Sequence, residues 1–194
     1  MQRLTHGLTA ADAQQQLGGG LGAELCLGHW VAAVRELFEE AGIYLFVSQG
    51  GATNGSASRE LSLRLAEKRA ALQDGRVEFS SLLTAENLCC DLGRLVYFFH
   101  RITPEHYPVR FDTRFYLAAL PPQQTPLDSS EEVSESLWIS AATALERLQS
   151  GNFSDDAANC RSVAHFGWSW LLECTHPGVS PMIRLSQIRN PRRY

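Results

Sequence analysis

The sequence predicts an α/β fold. Apolar residues recur at helical spacing through most of residues 9 to 93, and from Leu95 onward the period shortens to that of strands. A third observation, an acidic helix that ends at Gly42, places the candidate chemistry at one helix terminus. The 194 residues suit one domain, 1–194, with its own core. A hydrophobic content of 44% points to a globular chain rather than a disordered one.

The elements follow in order. Thr9 to Leu17 reads as a short helix, with Thr9 as its cap and Asp12 in its first turn; Gly18-Gly19-Gly20 breaks it. Ala23 to Ala41 is helical, with Trp30, Val31, Val34, Leu37 and Phe38 on one face, and Gly42 is its expected left-handed stop. Ile43 to Val47 reads as a strand, and 48–58, rich in Gly, Ser, Asn and Thr, as a loop. Arg59 to Leu72 reads as a charged helix with a mostly solvated face, since Glu60–Arg64 and Arg64–Lys68 stand at i, i+4. A further helix starts at Ser80 or Ser81 and runs toward Leu92, which gives a helical insert over about 56–93. Leu95 to Phe99 is aromatic and β-branched, as strands are. Arg110 to Leu120 alternates, with Phe111, Thr113 and Phe115 facing one way and Arg110, Asp112 and Arg114 the other. Glu135 to Ser140 is a strand around Trp138. Ala141 to Gln149 and Ala157 to Cys174 are helices.

Composition narrows the function classes. A net charge of -4 argues against a general nucleic-acid binder, whose footprint is usually basic, but it leaves small anionic substrates open because a bound cation reverses the local field. The five cysteines, Cys26, Cys89, Cys90, Cys160 and Cys174, contain no CxxC pair, so a structural zinc site is not expected. Buried free thiols and a reducing, cytoplasmic compartment are the expectation. No apolar run is long enough to span a bilayer, and the first residues lack the apolar region of a secretory signal. The expected partners exclude nucleic acid and membrane.

Glu36, Glu39 and Glu40 stand at i, i+3, i+4 and share one face of the Ala23–Ala41 helix. Two readings of that face are open. It is a solvated acidic surface with Arg35 pairing Glu39, or it is a cation site, because a hard divalent ion prefers carboxylate oxygens and relieves their mutual repulsion.

The string Arg35-Glu36-Leu37-Phe38-Glu39-Glu40-Ala41-Gly42-Ile43 resembles the second half of the Nudix signature, G-x5-E-x7-R-E-U-x-E-E-x-G-U with U aliphatic, and agrees at every specified position from Arg35 to Ile43. Thr103-Pro104, the run Pro108 to Tyr116, and Glu131-Glu132-Val133 through Trp138 resemble the peroxisomal coenzyme A diphosphatase-like branch of that superfamily. So does a helical insert ahead of the Arg-Glu half of the box. The similarity covers most of residues 20 to 150.

The resemblance implies a Nudix-type α/β/α sandwich with a mixed sheet. It implies Glu39 and Glu40 as ligands of Mg²⁺ or Mn²⁺, Glu36 as a base or supporting carboxylate, and Arg35 as the residue that orients the glutamates. A further acidic group comes from a later loop in this family, and Glu131, Glu132 and Glu135 are the candidates; a solvated loop charge is the competing reading of each. Arg110 and Arg114 are candidates for substrate phosphates, against an ion pair with Asp112. His100 and His106 read as surface or packing residues, and Tyr97-Phe98-Phe99 as core.

Two departures stand out. Leu27 and Leu21 occupy the places that strict spacing gives to the upstream Glu and Gly, and no Pro-Gly-Gly segment precedes Arg35. Residues 1–34 read as helix and loop where the family has two or three strands, so the fold is expected to be N-terminally incomplete. The implied activity is metal-dependent hydrolysis of a diphosphate linkage in a nucleoside-diphosphate-X substrate, coenzyme A or acyl-coenzyme A being the class the branch suggests. The alternative is a catalytically silent Nudix-like binding or assembly domain. An exposed sheet edge would favour pairing with a second copy, and a homodimer is expected.

Overall fold

The computed structural model describes residues 4–18, 20–50, 59–102, 105–106, 112–127, 133–140, 143, 146, 150, 170–173 and 182–188. Its strands and helices, in chain order, are β1 (Thr5–His6), α1 (Ala10–Leu17), α2 (Ala23–Ala41), β2 (Phe46–Ser48), α3 (Arg59–Gln73), α4 (Phe79–Ala85), β3 (Leu88–Asp91), β4 (Leu95–Ile102), β5 (Asp112–Ala119), β6 (Val133–Ser140), β7 (Trp170–Glu173) and β8 (Met182–Ile188). They fall into two compact units, one of residues 1–96 and 121–127, the other of 97–120 and 128–194.

The first unit is built on α2. Its apolar stripe, Leu27, Trp30, Val34, Phe38 and Ala41, is buried together with Ile43, Leu45, Leu65, Leu82, Leu83 and Leu92. These positions recur every three or four residues, which is what one helix face requires. Two glycines bound α2: Gly22 precedes it, and Gly42 stops it at φ 69°, ψ 7°, the left-handed conformation expected from the sequence. At α1 the expected cap is a full capping box. Thr9 Oγ1 accepts from the Asp12 N–H at 3.1 Å, and the Asp12 carboxylate accepts from the Thr9 N–H at 3.3 Å. The helix ends at Gly18, as the glycine run predicts.

Beside these helices lies a three-stranded sheet in the order β1-β3-β2, with β1 parallel and β2 antiparallel to β3. Here the structure departs from the sequence reading. The helical insert does not extend to residue 93: α4 stops at Ala85, residues 88–91 form the central strand β3, and 92–94 make one 3-10 turn. Leu88, Cys89 and Cys90 are buried in succession, as a strand paired on both edges requires, and that apolar run cannot be told from a buried helix by periodicity. The strand expected at 43–47 begins only at Phe46. The main chain of Tyr44 is held instead by the side-chain amide of Gln124, which accepts from the Tyr44 N–H at 2.9 Å and donates to the Tyr44 carbonyl at 3.0 Å. A glutamine thus takes the place of a neighbouring strand.

The second unit is a five-stranded mixed sheet in the order β4-β5-β7-β8-β6. Strands β5 and β7 are parallel, while β8 is antiparallel to both β7 and β6. Strand β7 corrects a second expectation. Trp170–Glu173 is extended between β5 and β8, not the end of a helix; residues 157–169 of that expected helix lie outside the described residues. Thr143, Glu146 and Ser150 have helical backbone, in line with a helix after β6. On β5 the inward face carries Arg114, Tyr116 and Ala118. Among the described residues no helix is long and apolar enough to cross a membrane.

Candidate functional site

The candidate site occupies the last two turns of α2. Glu36, Glu39 and Glu40 are all there, on the helix and in the register that the spacing predicts. Because successive helical positions turn by about 100°, Glu40 lies next to Leu37 at the margin of the apolar stripe, and it is buried at 8% exposure. Glu36 and Glu39 lie farther round the helix and are partly exposed. Arg35 sits between them. Its guanidinium is paired with the Glu36 carboxylate, and its Nε lies 3.5 Å from Glu39 Oε1. Arg35 therefore lies against two of the three carboxylates.

The wrong end of the helix dipole holds these acids. The C-terminal turn carries partial negative charge on its unpaired carbonyls, so Glu39 and Glu40 are unfavourable there without nearby cations. Helix α2 has no basic residue in its last turn. Helix α3 supplies one. Arg69 Nε donates to the Phe38 carbonyl at 3.0 Å and to the Glu39 carbonyl at 2.8 Å, and Gln73 Nε2 donates to the Glu39 carbonyl at 2.8 Å. Burial pulls the Arg69 pKa below its ordinary value, and the Glu39 carboxylate pushes it back up. The Gly42 N–H donates to the Phe38 carbonyl at 3.1 Å and the Leu127 N–H to the Ala41 carbonyl at 2.9 Å. Three of the last four carbonyls of α2 thus have partners from outside the helix.

Arg69 and Gln73 were not among the residues singled out from the sequence. The signal was present but faint: they stand at i, i+4 on α3 and share a face with the buried Leu65 and Leu72. The opposite side of α3 is the ionic one expected. Arg64 bonds Glu60 at 3.1 Å, and both Arg64 and Lys68 reach Glu86, at 3.1 and 2.7 Å. The Lys68 hydrogen bond, opposed by desolvation and helped by Arg64, holds the Glu86 carboxyl below its usual value.

Whether these residues suit a divalent cation can be tested on the donor set. The oxygens are hard carboxylates on one helix face, the donor type a hard divalent cation prefers, and the Arg35 guanidinium beside Glu36 and Glu39 offsets part of their charge. Among the described residues no three His, Cys, Asp or Glu side chains gather closely enough to hold an ion by themselves. That is compatible with Mg²⁺, which is commonly bound through one or two carboxylates, with water and substrate phosphate completing its shell.

The remaining candidates lie on other elements. Arg114 belongs to β5 in the second unit, and its Nη1 lies 2.7 Å from Asp112 Oδ1, which His100 Nε2 also reaches at 2.6 Å. The ion pair with Asp112, one of the two readings open for Arg114, is therefore formed, along the strand rather than across it. Arg110, Glu131 and Glu132 lie outside the described residues, and Glu135 is on β6. His106 is exposed in a turn. Phe98 and Phe99, expected in the core, are half exposed, at 48% and 50%.

Comparison with known proteins accords with this arrangement. The family model of the NUDT19 Nudix domain matches residues 5–154. A putative nudix hydrolase 7 of Caenorhabditis elegans is 31% identical over 124 residues, which are 64% of this chain and 39% of that protein. The acyl-coenzyme A diphosphatase NUDT19 of Gallus gallus is 31% identical over 154 residues, 72% of this chain and 40% of that protein. The chain thus spans about two fifths of the length of these curated relatives. The crystal structure of a NUDIX hydrolase from Alicyclobacillus acidocaldarius superposes with a TM-score of 0.56 at 28% identity, covering 74% of this chain and 64% of that one. The α/β fold with mixed sheets is the Nudix-type fold, and diphosphate hydrolysis is the activity of the superfamily, whose members generally use divalent metals. With the Arg-Glu half of the box in place on α2 and the family model matched over residues 5–154, this chain belongs to the NUDT19 Nudix domain family of Nudix hydrolases.

Proposed function

We propose that the chain is a Mg²⁺- or Mn²⁺-dependent diphosphohydrolase acting on a nucleoside-diphosphate-X substrate, with coenzyme A or acyl-coenzyme A as the substrate class. The observation that carries this reading is the placement of Glu36, Glu39 and Glu40, with Arg35 against two of them, in the last two turns of α2 and in the register of the Arg-Glu half of the box. The coenzyme A class is supported by the activity named for the Gallus gallus relative, an acyl-coenzyme A diphosphatase.

In this reading Glu39 and Glu40 would hold the cation, which when bound polarises the diphosphate oxygens and lowers the pKa of an attacking water. Glu36, more exposed and one turn earlier, takes the proton from that water as it adds to phosphorus. The P–O bond of the anhydride breaks, and the leaving phosphate departs with the bonding pair. Arg35 keeps Glu36 and Glu39 in register through its two ion pairs. Glu40 is shielded from bulk water, so charge interactions of its carboxylate are screened less than those of exposed groups. For Arg110 and Arg114 we propose contacts to substrate phosphate, Arg114 through guanidinium donors other than the Nη1 that lies against Asp112.

A silent binding domain is the second reading. It is favoured by the Arg35 guanidinium, which pairs with Glu36 and lies near Glu39. The test is hydrolysis of coenzyme A, acetyl-coenzyme A, ADP-ribose, NADH and diadenosine polyphosphates with Mg²⁺ or Mn²⁺, wild type beside Glu40→Gln. Turnover that falls by at least about a hundredfold in the variant supports the enzyme. A folded wild type inert on the whole panel supports the silent domain.

A further inference from the structure

The last carbonyls of the helix that carries the candidate ligands are capped by side chains of α3, and that capping has a chemical consequence. Arg69 Nε is shared between two successive carbonyls, Phe38 at 3.0 Å and Glu39 at 2.8 Å, and Gln73 Nε2 adds a second donor to the Glu39 carbonyl at 2.8 Å. Helix ends commonly tighten toward 3-10 geometry, in which the rotation per residue is about 120° rather than about 100°. Adjacent residues such as Glu39 and Glu40 would then splay by about 20° more, enough to change which oxygens can reach one ion. Donors on the Phe38 and Glu39 carbonyls hold the α-helical form of this turn. The planar Nε–H of arginine can bridge both; an ammonium on a flexible stem keeps the charge and loses the fixed fork.

The charge matters as well. Glu36, Glu39 and Glu40 crowd the negative end of the α2 dipole, and Arg69 lies near enough to the Glu39 carboxylate to feel its field. Arg69 therefore stabilises the acidic turn before any cation arrives. Leu65 and Leu72 are buried on the same face of α3 as Arg69 and Gln73.

We propose that Arg69 and Gln73 are positioning residues for the diphosphohydrolase reaction, fixing the turn from which Glu39 and Glu40 would hold the divalent ion and so setting the affinity for that ion. This rests on the function proposed above. It also gives the α3 segment a role in the site, as the clamp on the catalytic helix.

The test uses the full chain with three substitutions. Arg69→Lys exchanges the fixed Nε–H for a mobile ammonium, and Gln73→Leu removes a donor to the Glu39 carbonyl. Arg64→Gln, on the opposite side of α3, breaks the pairs with Glu60 and Glu86 and leaves α2 untouched. Mn²⁺ affinity is read by electron paramagnetic resonance from the loss of the free-ion signal. Circular dichroism sets a temperature at which every variant is folded, and kcat and KM are measured there. The expected result is Mn²⁺ binding weakened by about tenfold in both Arg69→Lys and Gln73→Leu, with kcat reduced and KM near the wild-type value. Arg64→Gln should melt earlier yet bind Mn²⁺ as the wild type does. A folded Gln73→Leu or Arg69→Lys that binds Mn²⁺ and turns over like the wild type overturns the positioning role while the enzyme reading stands. A wild type that binds no Mn²⁺ overturns both.

Discussion

Replacing Gly42 with alanine tests the geometry at the end of α2. Gly42 has φ 69°, a conformation in which an L side chain is strained, and a Cβ built there would lie 3.1 Å from both Leu127 Cδ1 and Leu127 Cγ. The left-handed backbone costs an L residue about 1–2 kcal/mol. Reduced freedom of the unfolded chain returns about 0.4–1 kcal/mol. The leucine side chain must also give by a few tenths of an ångström, which it can do at modest cost because it is exposed although its main chain is tied to the Ala41 carbonyl. The net expectation is a loss of about 1–2 kcal/mol, and for a chain of this size about 2–4 °C of melting temperature per kcal/mol. A thermal melt by circular dichroism reads this directly. Gly42→Asn, which tolerates the left-handed region, should lose less of the strain term and keep the contact. Adding Leu127→Ala should lessen the further cost of Gly42→Ala by removing the contact. If Gly42→Ala melts with the wild type, the left-handed stop is not holding this turn and the reasoning fails.

Three further outcomes are expected. Thr9→Ala removes the side-chain acceptor of the α1 capping box and should cost about 1 kcal/mol in urea unfolding, with little change if Ser is substituted instead. Glu86 has its carboxyl pKa depressed by Lys68 and Arg64, so its stabilising contribution is present above the ordinary value of 4.5 and is lost as pH falls through the lower folded value. The stability difference between wild type and Glu86→Gln should therefore be full at pH 7 and shrink below about pH 4; a difference independent of pH would contradict the assignment. Burial, with some help from Cys89, pushes the Cys90 thiol up to about 12, so iodoacetamide at pH 8 should leave Cys90 unmodified in the native protein. Peptide mapping that finds it alkylated within minutes would refute that burial.

Much of the first unit was legible because its signals are local. Glycine, threonine and aspartate mark helix ends through conformations and hydrogen bonds formed within a few residues, and α1 and α2 begin and end where those residues stand. The acidic face was legible for the same reason, since i, i+3, i+4 spacing has one meaning on a helix. What was not legible depends on partners distant in sequence. Leu88-Cys89-Cys90 becomes a strand through its pairing with β1 and β2, and Trp170–Glu173 through its place between β5 and β8. Phe46 starts its strand late because Gln124 occupies Tyr44. Arg69 and Gln73 look like ordinary surface residues until the carbonyls they cap are in view.

The short return segment of residues 121–127 also bears on the order in which the chain can mature. It supplies the Gln124 amide to Tyr44 and the Leu127 N–H to Ala41, contacts that span about eighty residues of chain. A nascent polypeptide that has emerged only through α4 holds the acidic helix but not its full closure. Loop-closure entropy makes such distant contacts late ones, formed after local helices. Synthesis must pass residue 127 before the end of the glutamate-bearing helix is sealed, so the acidic turn is among the last parts of the first unit to acquire its final geometry.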